Sequence, residues 1–173
     1  WRLINYGENL LALIHNKTIF QWEPSLPNLE VRAVLVTGTE VPTASRDMVL
    51  STPDRHLICV GTETTLQTAA SQDDMFVRWS DQESITEWTP TASNTAGSQR
   101  LTDGSKLMGG IVGRTAVYIW SDTAMYTMKF IGPPLTFGFQ QMGTNCGMSS
   151  QHAAAEVNGI AYWMGPTGFY SFD

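Results

Sequence analysis

Apolar and polar positions along this chain fall into short runs separated by turn formers, and Val117–Lys129 shows the pattern most clearly. Val117-Tyr118-Ile119-Trp120 is apolar, aromatic and β-branched. Ser121-Asp122-Thr123 is a cluster of turn formers, and Ala124 to Lys129 sets Met and Tyr against small or polar residues. That pattern predicts a β-hairpin. It returns as Leu10–His15 and Thr18–Trp22 across Asn16-Lys17, and as Ile160–Met164 and Gly168–Phe172 across Gly165-Pro166-Thr167. A further copy pairs His56–Val60 with Met75–Trp79 around a polar insert, Gly61–Asp74. The first strands begin near Leu10, His56, Ala116 and Ile160, at spacings of 46, 60 and 44 residues. The insert accounts for most of the longer spacing. A period of roughly 40–50 residues with several short strands points to a propeller or another repeat array.

The flanking runs extend each hairpin toward four strands. Arg2–Gly7 is expected to precede the first hairpin, and Leu29–Val36 to follow it after a loop at Pro24–Asn28. Thr37–Ser45 is a linker rich in Thr, Gly and Pro. The second unit opens at Asp47–Leu50, turns at Thr52-Pro53-Asp54 and is expected to close with Ile85–Thr89, before a long polar stretch from Pro90 to Gly104. The third runs Lys106–Val112, Ala116–Trp120, Ala124–Phe130 and, past Gly132-Pro133-Pro134, Leu135–Gln140. The fourth runs Ala153–Val157, turns at Asn158-Gly159 and ends one strand short. No long amphipathic helix is expected; Gln67–Asp74 and Ser150–Glu156 suit a turn or two. The reading is an all-β fold of repeated four-stranded antiparallel blades, part of a larger β-propeller, with blades at about 1–45, 46–104, 105–150 and an incomplete 151–173. One such sheet is apolar on both faces of its inner strands, so each face needs a neighbouring sheet. Two short matches support the repeat: Trp79-Ser80-Asp81 with Trp120-Ser121-Asp122, and Ala96-Gly97-Ser98 with Cys146-Gly147-Met148, which are expected at comparable places after a fourth strand.

Composition narrows the functional classes. The 173 residues are 42% hydrophobic and only 15% charged, which suits a globular domain built of strands and turns. A formal net charge of −6 argues against a general nucleic-acid-binding surface, which concentrates Lys and Arg. No run approaches the ~20 apolar residues of a membrane-spanning helix. No signal peptide is visible, and the start at Trp1, mid-pattern, leads us to expect a piece of a longer protein. Cys59 in a strand and Cys146 in a turn lack metal spacing and are read as free thiols rather than a disulfide.

Candidate chemistry is sparse. His15, His56 and His152 show no HExxH or HxH spacing, and neither a GxSxG elbow nor a GxxxxGK[ST] loop is present. Gly109-Gly110-Ile111-Val112-Gly113 lacks the lysine and following helix of a phosphate loop and reads as a strand bend. Asp81, Glu83, Glu87, Asp103 and Asp122 lie in or near loops. A pair of them held ~5–9.5 Å apart would suit a glycosidase, whereas turn aspartates capping nearby backbone are the simpler reading. Trp22, Trp79, Trp120 and Trp163 sit in the repeated hairpins and are expected to pack between sheets; Trp88 is less regular and is the best candidate for an exposed contact, although a core role outweighs a ligand contact. No catalytic, cofactor-binding or metal-binding residue is assigned, no cofactor is expected, and the chain is not expected to be an enzyme.

The segment from Arg78 to Ser98, with its Arg-Trp-Ser-Asp opening, Trp88-Thr89-Pro90 and Asn94-Thr95-Ala96-Gly97-Ser98, resembles a stretch of tailed-bacteriophage tail proteins. Ile119–Tyr126 and Tyr162-Trp163-Met164-Gly165 fit the same family. Its nearest members are the propeller-containing tail nozzle or tail-tube proteins of short-tailed phages and the related packaged-DNA stabilisation proteins, and the likeness covers roughly Asp47 to Asp173. The resemblance implies a structural virion protein of the tail, assembled in the host cytoplasm. It would form a ring, commonly a hexamer, that contacts other tail proteins around the DNA channel. It carries over no catalytic residues. An acidic balance suits a channel through which DNA slides without sequence-specific binding, because a basic lining would grip phosphates. The alternative is a carbohydrate-binding or carbohydrate-cleaving propeller for host recognition, which predicts an exposed aromatic and paired carboxylates in one pocket. A scaffold propeller that binds a peptide is the third. The insert Gly61–Asp74 and the stretch Thr91–Gly104 are the expected places for partner contact.

Overall fold

The computed structural model describes residues 1–24, 30–38, 40–52 and 54–173. Among the described residues fifteen strands form four antiparallel sheets, each a meander of strands consecutive in the chain. The first holds β1 (Arg2–Tyr6), β2 (Asn9–Leu13), β3 (Ile19–Trp22) and β4 (Val34–Leu35). The second holds β5 (Ser45–Leu50), β6 (Leu57–Thr62), β7 (Phe76–Trp79) and β8 (Gly97–Arg100). The third holds β9 (Leu107–Val112), β10 (Val117–Ser121), β11 (Ala124–Gly132) and β12 (Thr136–Thr144). The fourth has three strands, β13 (Ala154–Val157), β14 (Ile160–Met164) and β15 (Phe169–Phe172).

All four hairpins read from the sequence are present, because their β-branched and aromatic runs meet turn residues that the backbone requires. Asn16 and Asn158 both lie in the left-handed region, at φ 57° and 55°, which asparagine tolerates. Two closing strands differ from expectation. The run Leu29–Val36 pairs only at Val34 and Leu35, which meet Gln21 and Phe20; Leu29 lies outside the described residues. The second sheet closes with Gly97–Arg100, not Ile85–Thr89. Gly97 pairs with Trp79, and a Cβ at Gly97 would lie 2.3 Å from the indole, so the strand begins where only glycine fits. As a result Ala96-Gly97-Ser98 enters a fourth strand whereas Cys146-Gly147-Met148 follows one, and the two triplets are not equivalent. The expected turn at Thr52-Pro53-Asp54 and the loop Pro24–Asn28 fall partly outside the described residues.

The sheets stack face to face, and each seam between neighbours is one apolar cluster. Leu11, Leu13 and Ile19 of the first sheet pack with Met48, Leu57 and Cys59 of the second. Val49, Ile58, Val60, Val77 and Trp79 of the second pack with Val117, Ile119, Tyr126 and Met128 of the third. Tyr118, Trp120 and Met125 of the third pack with Ala161 and Trp163 of the fourth. Strand pleating explains how one sheet serves two seams: alternate residues of β6 and of β10 point to opposite faces.

The opening strands lie together, β1 beside β5, β5 beside β9 and β9 beside β13. They converge on Asp47, which is fully buried. Arg2 Nε is 3.5 Å from Asp47 Oδ1, Gln151 Nε2 donates to Oδ1 at 2.9 Å and the Gly110 amide donates to Oδ2 at 3.0 Å. Arg2 also donates to the Gly110 and Met48 carbonyls, at 2.6 and 3.1 Å. His152 Nε2 lies 3.1 Å from the Trp1 carbonyl oxygen, linking the inner edges of the fourth and first sheets.

Removing this carboxylate leaves the Gly110 amide without its partner and the Arg2 charge without its counter-ion, although Arg2 and Gln151 keep their backbone carbonyls. Asp47→Ala is expected to cost about 3 kcal/mol in urea unfolding. Combined with Arg2→Ala it should cost clearly less than the two single losses together, because both remove one interaction; strict additivity would deny the coupling.

Candidate functional site

The glycine-rich run lies in β9, where the expected strand bend is seen. Register against β10 shifts at Trp120/Ser121, and a Cβ at Gly109 would come within 2.7 Å of Asp47 Oδ2. The run therefore makes room for the Asp47 carboxylate.

Two of the loop carboxylates, Asp81 and Asp122, act on backbone. Asp81 Oδ1 accepts from the Thr95 amide at 2.7 Å and the Thr95 hydroxyl at 2.6 Å. Asp122 does the same for Ser105, accepting from its amide at 2.8 Å and from its hydroxyl. The repeated Trp-Ser-Asp triplet thus uses its aspartate for one task in two places, although one triplet ends β7 and the other ends β10. Partial burial alone would raise both carboxyls, but the hydrogen bonds from Thr95 and Ser105 outweigh it and hold them below the ordinary range. Asp103 accepts from Thr123 Oγ1 and Gln141 Nε2, and Glu83 lies 3.8 Å from Arg55 on the surface. Glu87 is exposed. Among the described residues no group of three His, Cys, Asp or Glu side chains is placed to hold a metal ion.

The tryptophans divide differently from expectation. Trp79, Trp120 and Trp163 lie in the seams, with Trp79 against Phe137 at 5.4 Å and Trp120 against Trp163 at 5.3 Å between ring centres. Trp22 is half-buried outside these clusters and donates to the Val31 carbonyl at 2.7 Å. Trp88, the best candidate among them for an exposed contact, takes the core position instead and is fully buried in the seam between the first and second sheets. Its amide and that of Thr89 donate to the Glu40 carboxylate, and its indole donates to the Ile85 carbonyl at 2.9 Å. Ile85–Thr89 is therefore a turn that drives one large ring into the core, which explains why it does not pair as a strand.

His56 is also buried, against the rings of Phe130 and Phe137. Its Nε2 is 2.9 Å from Thr95 Oγ1, which already donates to Asp81, so Nε2 carries the proton and Nδ1 is left without a partner. His15 and His152 are exposed and each meets a backbone carbonyl. Both cysteines are free, as read from the sequence. Burial pushes the Cys59 thiol up to about 12 and raises that of Cys146, so neither is activated as a nucleophile.

The polar insert folds back onto the second sheet. Buried Glu63 accepts from the Thr43 amide and hydroxyl and the Gln67 amide, and Ala69–Ser71 forms one 3₁₀ turn. Arg78 donates to the Thr64 carbonyl at 2.8 Å, and Arg46 pairs with Asp74 through two bonds of 2.8 and 2.7 Å. Residues 64–65 and 67–70 remain exposed.

A cleft of about 590 Å³ opens between the second and third sheets, lined by Trp79, Asn94, Gln99, Leu135, Phe137 and Phe139 among others. Its size suits a small ligand. None of its lining side chains is ionisable, however, so no acid or base lines it to activate the hydroxyls of Thr91, Ser98 or Thr136. The Asn94 amide is already engaged with the Thr91 amide and the Thr89 carbonyl, and Gln99 with the Arg100 carbonyl. The cleft does not join the loop carboxylates to an exposed indole. Among the described residues, no helix is long and apolar enough to cross a membrane. Compared with known proteins, the chain matches no protein-family model and no curated sequence.

Trp88→Ala should cost about 3–5 kcal/mol, read as a lowered urea midpoint, because the site is fully buried and walled by two sheets. A cost near that of a surface substitution would contradict its seam position. For His56, burial lowers the folded pKa below the unfolded value of about 6.5. The unfolded state then takes up the proton first, so stability is expected to fall as pH drops from about 7 to 5. His56→Phe should flatten thermal midpoints across that window; an unchanged slope would place the titration elsewhere.

Proposed function

We propose that the four meanders are successive blades of a β-propeller, and that this chain is a structural component of a bacteriophage tail nozzle or hub. Copies arranged in a ring, six by the family resemblance, would surround the channel through which DNA leaves the particle. The observation that carries the propeller reading is the meeting of four opening strands at Asp47, with each sheet stacked on the next in chain order. Radial stacking of meanders whose opening strands meet at a common axis is what blade geometry requires. The assignment to a phage tail rests on the resemblance through Arg78–Ser98. In the structure that segment is β7, the Asp81–Thr95 loop and the start of β8, and its signature residues hold backbone in place. A structural motif of that kind suits an assembly protein.

The chemistry of the site region favours assembly over carbohydrate cleavage. Asp81 and Asp122 are engaged with backbone amides and hydroxyls, and the candidate sugar platform, Trp88, is in the core. The acidic balance of the chain is compatible with DNA passing without being held.

A cryo-electron reconstruction of the native assembly is expected to show this chain in a multi-copy ring on a particle axis. The isolated chain should fail to retard duplex DNA even at low salt, where phosphate contacts are strongest. A monomer that binds oligosaccharide in the cleft between the second and third sheets would replace the nozzle reading with the host-recognition one.

A further inference from the structure

The second sheet ends on a strand whose hydrogen-bonding groups are only half used. Leu101 donates its amide to the Met75 carbonyl at 2.9 Å, one step beyond the β7–β8 ladder, and this sets the alternation along it. Gly97 and Gln99 therefore bond to β7, while Ser98 and Arg100 turn their amides and carbonyls to the open side. Among the described residues no strand pairs there, and only the Gln99 side chain reaches the Arg100 carbonyl. Ser98, Gln99 and Arg100 are exposed. The strand carries one charge, Arg100, paired with Asp73, and neither a proline nor a bulge that would turn another strand away. The cleft of about 590 Å³ runs along this same edge. Gly97, Ser98 and Gln99 line one side of it, and Leu135, Phe137 and Phe139 the other. The Trp79 indole lies against Gly97, with its ring centre 5.4 and 5.8 Å from those of Phe137 and Phe139, and so joins the two sides.

We propose that this cleft is the docking site of an extended, uncharged peptide strand, which joins the second sheet beside β8. The peptide main chain takes the outward amides and carbonyls of Ser98 and Arg100, and every second side chain points toward Leu135, Phe137 and Phe139. An aliphatic or aromatic residue suits those positions. A Lys or Asp there would lose its water without a counter-ion, because no lining side chain is ionisable. The open edge specifies its occupant more closely than an apolar patch does, since a row of backbone donors and acceptors is met in register only by another backbone. A sugar has no such repeat, and the Asn94 amide that it would use is already engaged. Both sides of the cleft come from sheets that already have a neighbour on each face, so stacking further sheets would not cover it. The inference stands apart from the ring reading, because the edge is open whatever the number of copies.

Fluorescence anisotropy of labelled, end-capped pentapeptides with the whole chain tests this. Three peptides alternate threonine with valine, leucine or phenylalanine. Matched controls carry lysine at the apolar positions, or N-methyl groups on alternate backbone amides in either register. At least one apolar peptide is expected to bind, and its lysine and N-methyl forms should bind about tenfold more weakly or worse. Ser98→Pro removes an outward donor and leaves the bonds to β7 in place, and Phe139→Ala opens the far side. Each is expected to weaken binding by a similar factor with an unchanged circular dichroism spectrum. The peptide controls are read on the wild-type chain, so they decide the matter even if a variant fails to fold. Binding by none of the three apolar peptides, equal binding by the N-methyl forms, or undiminished binding to folded Ser98→Pro would each overturn strand addition. Cellohexaose held in the cleft where no peptide binds would overturn it in favour of a sugar site.

Discussion

The arrangement depends on one buried carboxylate. Asp47 takes hydrogen bonds or charge from Arg2, Gly110 and Gln151, which belong to, or directly precede, the opening strands of the other three sheets. Burial raises its pKa, and the Arg2 charge, then the Gln151 and backbone hydrogen bonds, oppose that rise. An ion taken out of water is tolerated only when its oxygens are satisfied, so the site forms only when the sheets are in register with one another. Apolar seams are forgiving of small slides between sheets; a buried carboxylate with directional partners is not. Gly109 follows from the same constraint, because a side chain there would occupy the space of the carboxylate.

Away from Asp47, packing replaces direction. The middle seam combines Val and Ile with an aromatic pair, and the last seam is built on a second aromatic pair. Trp79 meets Phe137, and Trp120 meets Trp163, at ring separations where edge-to-face and tilted contacts add to area burial. The polar groups buried among them are served locally. Ser80 and Ser121 are fully buried: the Ser80 hydroxyl takes the Leu57 amide, and the Ser121 hydroxyl takes the Ala124 amide. The repeated Trp-Ser-Asp triplet thus places a ring in a seam, a hydroxyl on buried backbone and a carboxylate on the next loop.

The hairpins were legible because β-branched and aromatic runs on either side of Asn, Gly and Asp are a local signal. The missing strand of the fourth sheet was legible for the same reason. The strand β8 was not, because Gly97-Ser98-Gln99-Arg100 has neither alternation nor β-propensity; it is an edge strand held by pairing with Phe76–Trp79. Ile85–Thr89 carried the better strand pattern and lost it to a tertiary contact, the Glu40 carboxylate 48 residues away from Trp88. Asp47 gave no signal at all. A lone aspartate before an apolar run looks like any strand-flanking acid until Arg2 and Gln151, 104 residues from it, are brought together.

A structure in which polar residues are so fully occupied leaves few groups free for chemistry. Thr95 illustrates the point: its hydroxyl donates to Asp81 and accepts from His56 and from the Gln82 amide. The Asp-Thr-His set has the composition of a relay, yet the histidine faces phenylalanine rings and its second nitrogen meets nothing. A general base needs its far nitrogen oriented and its near nitrogen free to accept a proton, and His56 has the reverse. Apolar surface also stays exposed at the tip of the β11–β12 hairpin, where Ile131 and Leu135 project. Covering that tip would bury further apolar area, whereas His56 and the engaged aspartates have little left to offer a reaction.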